Sequence, residues 1–243
     1  MRLKITLKSK KNRLKIPFNY NHIVSAIVYN KIYDLELAQK IHSSQSYKFF
    51  TFSSLHIHKF RQVKDGLLSQ NGTIDFLISS PDDYLIKTLV EGFLEDQTVN
   101  FIGENLLVQK IELLPVPEFE EKANVNTLSP IIVRTKKEVD GKLKIWDLNP
   151  GDGQFYRNLE KNLINKYNEF NGLEENDKKI KISSEMRSVK RKRITIDKGE
   201  EKTFHRAFLM DLVLEGDLDL IKFAYDVGLG EKSGLGFGMI DMI

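Results

Sequence analysis

The sequence of 243 residues predicts an α+β protein of two tandem ferredoxin-like domains, each a βαββαβ, RRM-like unit. Three observations carry that expectation. Strand-like and helix-like patterns follow one another in the order β-α-β-β-α-β through the first half. The same order recurs in the second half. Between them lies a proline- and glutamate-rich stretch, residues 115–124, which sets domain limits of 1–116 and 124–243. The duplication rests on element order, because no residue-level repeat is visible.

In the first half Leu3, Ile5 and Leu7 alternate with Arg2, Lys4 and Thr6, predicting a strand with one buried and one basic face. Helical spacing follows over 21–32, where Ile23, Ile27 and Val28 share a face and Tyr29 lies near the end. A short helical stretch covers 35–42. Phe49, Phe50, Phe52 and Leu55 mark an aromatic strand, and residues 73–79 another. Pro81-Asp82-Asp83 is a helix start with acidic residues in its first turn, and Leu85, Leu89 and Phe93 continue it at four-residue spacing. Residues 106–114 close the half as a strand. The second half is expected to open with a strand at 131–134, continued in a hairpin with 142–146. Phe155, Leu159, Leu163 and Tyr167 mark a helix; strands follow at 179–184 and 205–214. Leu218, Ile221 and Tyr225 mark the next helix, and 235–240 the final strand.

Composition narrows the function classes. Thirty-seven Lys and Arg against 34 Asp and Glu leave +3, so local charge matters more than global charge. Lys8, Lys10, Lys11, Arg13 and Lys15 crowd the start, and Lys190, Arg191, Lys192 and Arg193 form an unbroken basic tetrad, which fits either phosphate contact or a solvated turn. The absence of cysteine excludes disulfides, thiolate zinc sites and cysteine nucleophiles. No apolar run approaches the roughly 18 residues of a membrane span, and the N-terminus lacks a signal-peptide core, so a soluble cytoplasmic protein is expected. His56 and His58 share a strand face at i, i+2 spacing, but the sequence offers no third ligand nearby, and no metal site is expected there.

The stretch 228–238 reads Gly-Leu-Gly-Glu-Lys-Ser-Gly-Leu-Gly-Phe-Gly. Five glycines in eleven positions permit positive φ and close backbone approach, so Gly228, Gly230, Gly236 and Gly238 are expected to form an anion-binding cradle with Lys232. Leu229, Leu235 and Phe237 would pin the loop to a core. A Walker loop is excluded because Glu231 stands where Gly must precede Lys-Ser. A Rossmann fingerprint would sit after the first strand, not near the end.

Two Gly-apolar-Gly triplets separated by five residues including a lysine resemble the signature of the CRISPR-associated repeat-processing endoribonucleases, the Cas six family. These belong to the repeat-associated superfamily of paired ferredoxin-like proteins. The similarity extends to the strand at 2–7, the Ile16-Pro17-Phe18-Asn19-Tyr20 turn, the Leu128-Ser129-Pro130 segment and the basic run at 190–193, and so covers the chain. The resemblance implies cleavage of CRISPR repeat RNA in precursor crRNA. Members with a histidine after the first helix use it with a helix tyrosine and a downstream lysine, which maps onto Tyr29, His42 and Lys48 in Val28-Tyr29-Asn30, Ile41-His42-Ser43 and Tyr47-Lys48-Phe49. His22, His56, His58 and His205 are the competing histidines, and His205 also suits RNA contact. Lys190, Arg191, Lys192, Arg193 and the glycine loop are assigned to RNA binding.

Those residue types suit the chemistry on independent grounds. RNA carries its own nucleophile, the 2′-hydroxyl, so the protein must supply a base, an acid and positive charge, without metal or cofactor. Histidine can move either proton, and lysine can stabilise the phosphorane. Tyrosine, with a pKa of about 10, is better suited to positioning the 2′-hydroxyl. Acid and base roles stay open. Each residue also has a plain reading: Tyr29 as a helix packer, His42 as a helix-end residue, Lys48 as a solvated charge. A non-cleaving RNA-binding subunit of a CRISPR effector complex is the alternative function, with complex subunits as further partners and a monomer or homodimer as the assembly. A generic RRM-type reader lacks its RNP pattern.

Overall fold

A computed structural model describes residues 1–43, 46–139, 141–184, 188–198 and 201–243. The first sheet grows from β1 (Arg2–Ser9), whose Leu3, Ile5 and Leu7 are buried. Between β1 and its partner β7 (Thr73–Ser79) come β2 (Leu14–Pro17), α1 (Asn21–Asn30), α2 (Leu35–Ser43), β3 (Thr51–Phe52), β4 (His56–Ile57), β5 (Phe60–Val63) and β6 (Gly66–Ser69). Then follow α3 (Asp83–Glu95), β8 (Thr98–Phe101) and β9 (Glu104–Leu113). The strand order is β3-β7-β1-β9-β8, with β4 also on β7 and all pairs antiparallel, which is the ferredoxin-like order with one added edge strand. Strands β2, β6 and β5 form a separate small sheet. The start signal at Asp82 holds: its carboxylate accepts from the Tyr84 and Leu85 amides at 3.0 and 3.2 Å. Aromatic side chains Phe50, Phe52, Phe76, Phe93 and Phe101 fill the core beneath the helices.

The second sheet has the same logic, order β13-β16-β10-β17, from β10 (Lys122–Thr127), β13 (Ile180–Ser183), β16 (Asp211–Gly216) and β17 (Ile240–Met242). Helices α4 (Gly153–Asn171) and α5 (Leu218–Val227) are its two crossovers. Two hairpins are inserted, β11 (Arg134–Val139) with β12 (Lys142–Asp147), and β14 (Lys190–Lys198) with β15 (Glu201–Leu209). Several sequence expectations are corrected here. The opening strand is β10, at the end of the stretch expected to be linker, and Ile131 makes only an isolated bridge to Phe208. The expected strand over 205–214 is the end of a hairpin plus the start of β16. The final strand starts at Ile240, because Ser233–Leu235 is a 3-10 turn.

The two domains are joined by side chains that reach across into backbone. Arg2, expected on a solvated basic face, is 2% exposed; it ion-pairs with Asp241 at 3.0 Å and donates to the Tyr225 and Ile240 carbonyls, both at 2.8 Å. Its guanidinium also stacks on the Tyr225 ring. Burial lowers the Arg2 pKa, opposed by the charges of Tyr225 and Asp241. From the first domain, Asn21 Nδ2 donates to Leu235 O (2.9 Å), Ser25 Oγ to Gly234 O (2.8 Å) and Thr51 Oγ1 to Phe237 O (3.0 Å). Ser233 Oγ returns a bond to Lys48 O at 2.7 Å.

Glycine at 236 and 238 is dictated by this contact. A Cβ at Gly236 (φ 73°) would lie 2.0 Å from Phe52 Cε2, and one at Gly238 (φ 79°) 1.8 Å from Leu229 O. Phe52 is fully buried and cannot step aside. Gly236→Ala is therefore expected to lose about 3 kcal/mol, combining overpacking with left-handed strain. Gly151→Ala, where an added Cβ meets nothing within 4 Å, should stay within about 0.5 kcal/mol. Urea unfolding of the two variants checks the difference.

Candidate active site

The glycine loop, α1 and the segment after α2 enclose a cleft of about 710 Å³ between the domains. Tyr29, His42 and Lys48 all line it, from three separate segments of the first domain. Tyr29 sits at the end of α1, one residue before its last position. Its ring packs edge-on against His42 (centroids 5.4 Å apart) and Phe50 (5.6 Å). His42 occupies the last turn of α2 and is exposed to the cleft. Lys48 lies between α2 and β3, and its Nζ donates to Ile41 O, the carbonyl beside His42. The three residues thus form one contiguous group.

Burial shapes two of these groups. Desolvation raises the Tyr29 phenol above its ordinary value, so it stays protonated near neutrality and can donate a hydrogen bond. Partial burial lowers the Lys48 ammonium. Among the other histidines, His22 also lines the cleft. His205 does not: it is buried, its Nδ1 lies 3.4 Å from Asp147 Oδ1, and burial together with the Lys232 charge lowers its pKa against the pull of Asp147.

The glycine loop corrects its own expectation. Gly228, Gly230, Gly236 and Gly238 are all buried. Their stretch turns its amides inside the protein: Leu229 N donates to Gly238 O, Gly238 N to Pro130 O and Glu231 N to Ile132 O. These glycines serve packing rather than a phosphate cradle. Of the residues assigned to that cradle, Lys232 is the one that lines the cleft.

The second domain supplies groups that sequence reasoning missed. Glu231 is held by Arg134 through Nε at 2.6 Å, a shorter contact from its second guanidinium nitrogen, and the Arg134 amide at 3.0 Å. Lys166 of α4 is 1% exposed and donates to Gly230 O at 2.7 Å and Gly228 O at 3.4 Å. The signal was present, since 166 follows Leu163 by three on the apolar stripe of α4. The basic tetrad lies within β14, not in a turn or ahead of a strand, and all four side chains are exposed. Arg191 and Arg193 line a second hollow with Trp146 and Phe204. Arg193 sits over the Phe204 ring at 4.8 Å, and Arg206 over Trp146 at 5.4 Å.

Two ferredoxin-like domains thus enclose one cleft, lined by Tyr29, His42 and Lys48 from the first and by Arg134, Lys166, Glu231 and Lys232 from the second, an architecture that can be compared with known families. Residues 15–112 match the family model "CRISPR-associated protein Cas6, N-terminal", and residues 114–242 match "CRISPR associated protein Cas6, C-terminal". The chain belongs to the Cas6 family. A Methanocaldococcus jannaschii relative described as CRISPR-associated endoribonuclease Cas6 1 is 36% identical, over 99% of this chain and 92% of the relative. A Pyrococcus furiosus relative described as CRISPR-associated endoribonuclease Cas6 is 29% identical, over 98% of this chain and 88% of the relative. A solved structure titled as a RAMP protein binding different RNA substrates superposes with a TM-score of 0.87 at 30% identity, covering 100% of this chain and 99% of that one.

Burial drives the Lys166 pKa from 10.5 to about 7, opposed by the Glu231 charge. Between about pH 7 and 10.5 the unfolded chain therefore holds a proton that the folded chain has released, so stability rises with pH in that window. Below about 7 the cost of burying the charge is present in full. Urea midpoints measured from pH 7 to 9 should rise in the parent protein, and Lys166→Met should flatten that rise.

Proposed function

We propose that this protein is a metal-independent endoribonuclease that cuts CRISPR repeat RNA within precursor crRNA. The observation that carries the proposal is the convergence of Tyr29, His42 and Lys48 on one interdomain cleft. In the reaction, the 2′-oxygen forms a bond to the adjacent phosphorus as the bond to the 5′-oxygen breaks. The 2′ proton passes to a base, and a proton is delivered to the leaving oxygen. The products are a 2′,3′-cyclic phosphate and a 5′-hydroxyl. His42, exposed in the cleft, is the group suited to proton transfer. Tyr29, kept as a phenol by desolvation, orients the 2′-hydroxyl or a phosphate oxygen. Lys48 stabilises charge developing on the phosphorane, with Lys232 entering the same cleft from the opposite domain.

The RNA also needs a path to this cleft. The hairpins β11–β12 and β14–β15 supply it: Arg191 and Arg193 stand beside exposed Trp146 and Phe204, while Lys190 and Lys192 add charge on the other face of β14. Arginines hold phosphates while the aromatic rings stack on unpaired bases. Asn19 Oδ1 accepts from the Thr195 amide at 3.3 Å, tying β14 to the first domain near α1.

Cleavage of the protein's own repeat RNA should persist in EDTA, and a single 2′-deoxy substitution at the scissile nucleotide should abolish it. His42→Ala should slow single-turnover cleavage by roughly 10² to 10⁴-fold with RNA affinity near normal; Lys48→Ala should slow it too, and Tyr29→Phe more mildly. Loss of cleavage in EDTA with recovery in magnesium would contradict the mechanism. Wild-type cleavage by His42→Ala would move the proton transfer to another residue, and a parent protein that binds its repeat RNA without cutting it would move the function to RNA binding alone.

Neutralising the tetrad should act on binding. For every phosphate of single-stranded RNA that the tetrad no longer neutralises, the log–log salt dependence of affinity should flatten by roughly 0.7. Saturating protein should restore much of the cleavage rate. An unchanged slope after removing all four charges would show that the RNA does not run along β14.

A further inference from the structure

The sequence placed His56 and His58 on one strand face but offered no third ligand. The fold supplies one from 17 residues beyond His58. Asp75 on β7 is the cross-strand partner of His56, and Thr6 of β1 is its partner on the other side. Directly opposed residues share a sheet face, so Asp75 lies on the face that carries Lys4 and Thr6, away from the helices. His58, two residues past His56, reaches the same face.

The three side chains converge. His56 Nδ1 lies 3.2 Å from Asp75 Oδ2, and His58 Nε2 lies 2.5 Å from Asp75 Oδ1. The imidazole centroids are 4.6 Å apart, and the donor atoms of all three residues fall within 4.8 Å of one another. A tetrahedral ion with arms of roughly 2.1 Å needs donor separations of roughly 3.4 Å, so the ligands need shift by only about 1 Å to admit one. We propose that His56, His58 and Asp75 form a binding site for one divalent transition-metal ion of the zinc, cobalt or nickel kind.

The donor set decides the ion class. Two imidazoles and one carboxylate suit these metals, whereas magnesium and calcium take all-oxygen sites. Asp75 is 5% exposed and fixed by two neighbouring strands, while the histidines are 67% and 42% exposed. The rigid oxygen sits below, and the open side leaves room for water to complete the coordination. Lys4 is the competing cation: its Nζ stands 3.5 Å from Asp75 Oδ2, and its side chain is 35% exposed, which gives it a route aside. The bound ion would tie the two-residue strand β4 to β7. It shares no residue with the cleft of Tyr29, His42 and Lys48, so cleavage does not pass through it.

Titration of tag-free, metal-stripped protein with Co²⁺ tests the site, followed by visible absorption, calorimetry and thermal melting. One equivalent should bind, with ligand-field bands and a raised Tm. His56→Ala and His58→Ala should each weaken binding by at least the roughly tenfold that losing even an outer partner of a metal ligand costs. A variant lacking His22 and His42 should bind as the parent does. Lys4→Gln, which removes the competitor without touching a ligand, should bind more tightly. Binding that survives loss of both strand histidines, or that disappears with His22 and His42, would overturn the proposal. So would the absence of saturable binding by the folded protein, and none of these outcomes bears on the nuclease reading.

Discussion

The whole arrangement depends on an approach of the second domain's backbone to the first domain's core side chains that only glycine permits. Between α5 and β17 the second domain sends its loop against β3 and α1 of the first, close enough that a Cβ at Gly236 would overlap the Phe52 ring, 2.0 Å from its Cε2. Such proximity removes water from a string of carbonyls, and each must then find a donor. Asn21, Ser25 and Thr51 supply them. An unsatisfied buried acceptor costs about 1 to 3 kcal/mol, so three such bonds outweigh the modest charge pairs on the exposed surface. The domains are held at a fixed angle because these carbonyls meet their donors only in that geometry.

From that contact the cleft follows. The loop carbonyls held by Lys166 leave Glu231 and Lys232 facing the first domain, and Arg134 fixes Glu231. On the other wall, Lys48 is bonded at both ends of its residue, since its carbonyl receives Ser233 and its ammonium reaches Ile41 O. The interdomain contact therefore passes directly into the segment that carries Lys48 and, through Ile41, into the turn that carries His42. Positioning of this kind matters for phosphoryl transfer, where misplacement by about 1 Å can cost 100-fold.

What the sequence made legible was whatever had a local signature. Apolar alternation at Leu3, Ile5 and Leu7, the cap at Asp82 and the four-residue spacing of α4 all predicted elements that the fold contains. Strand β10 was missed because its Lys-Ala-Asn-Val-Asn-Thr run offers only two apolar residues, and its burial comes from partners far along the chain. Arg2 looked solvated because alternation cannot see a second domain closing over the strand. The glycine pattern was visible, yet its purpose was read in the wrong direction. Positive φ and missing Cβ atoms serve a protein neighbour as readily as a phosphate, and only three-dimensional contacts tell them apart. Tyr29, His42 and Lys48 were named by family resemblance, since nothing in their spacing alone required them to meet. Asp75 had no such resemblance to point to it, and its place beside two histidines is a product of strand pairing.

The central claim is that the scissile phosphate is processed in the cleft between the domains, opposite the glycine loop. A crystal structure with repeat RNA carrying a 2′-deoxy nucleotide at the cut site tests it most directly. The account predicts that the scissile phosphate lies among Tyr29, His42 and Lys48, with an imidazole nitrogen within roughly 3 Å of a reacting oxygen. An RNA path that seats this phosphate on another surface, leaving the cleft without nucleotide, would contradict it.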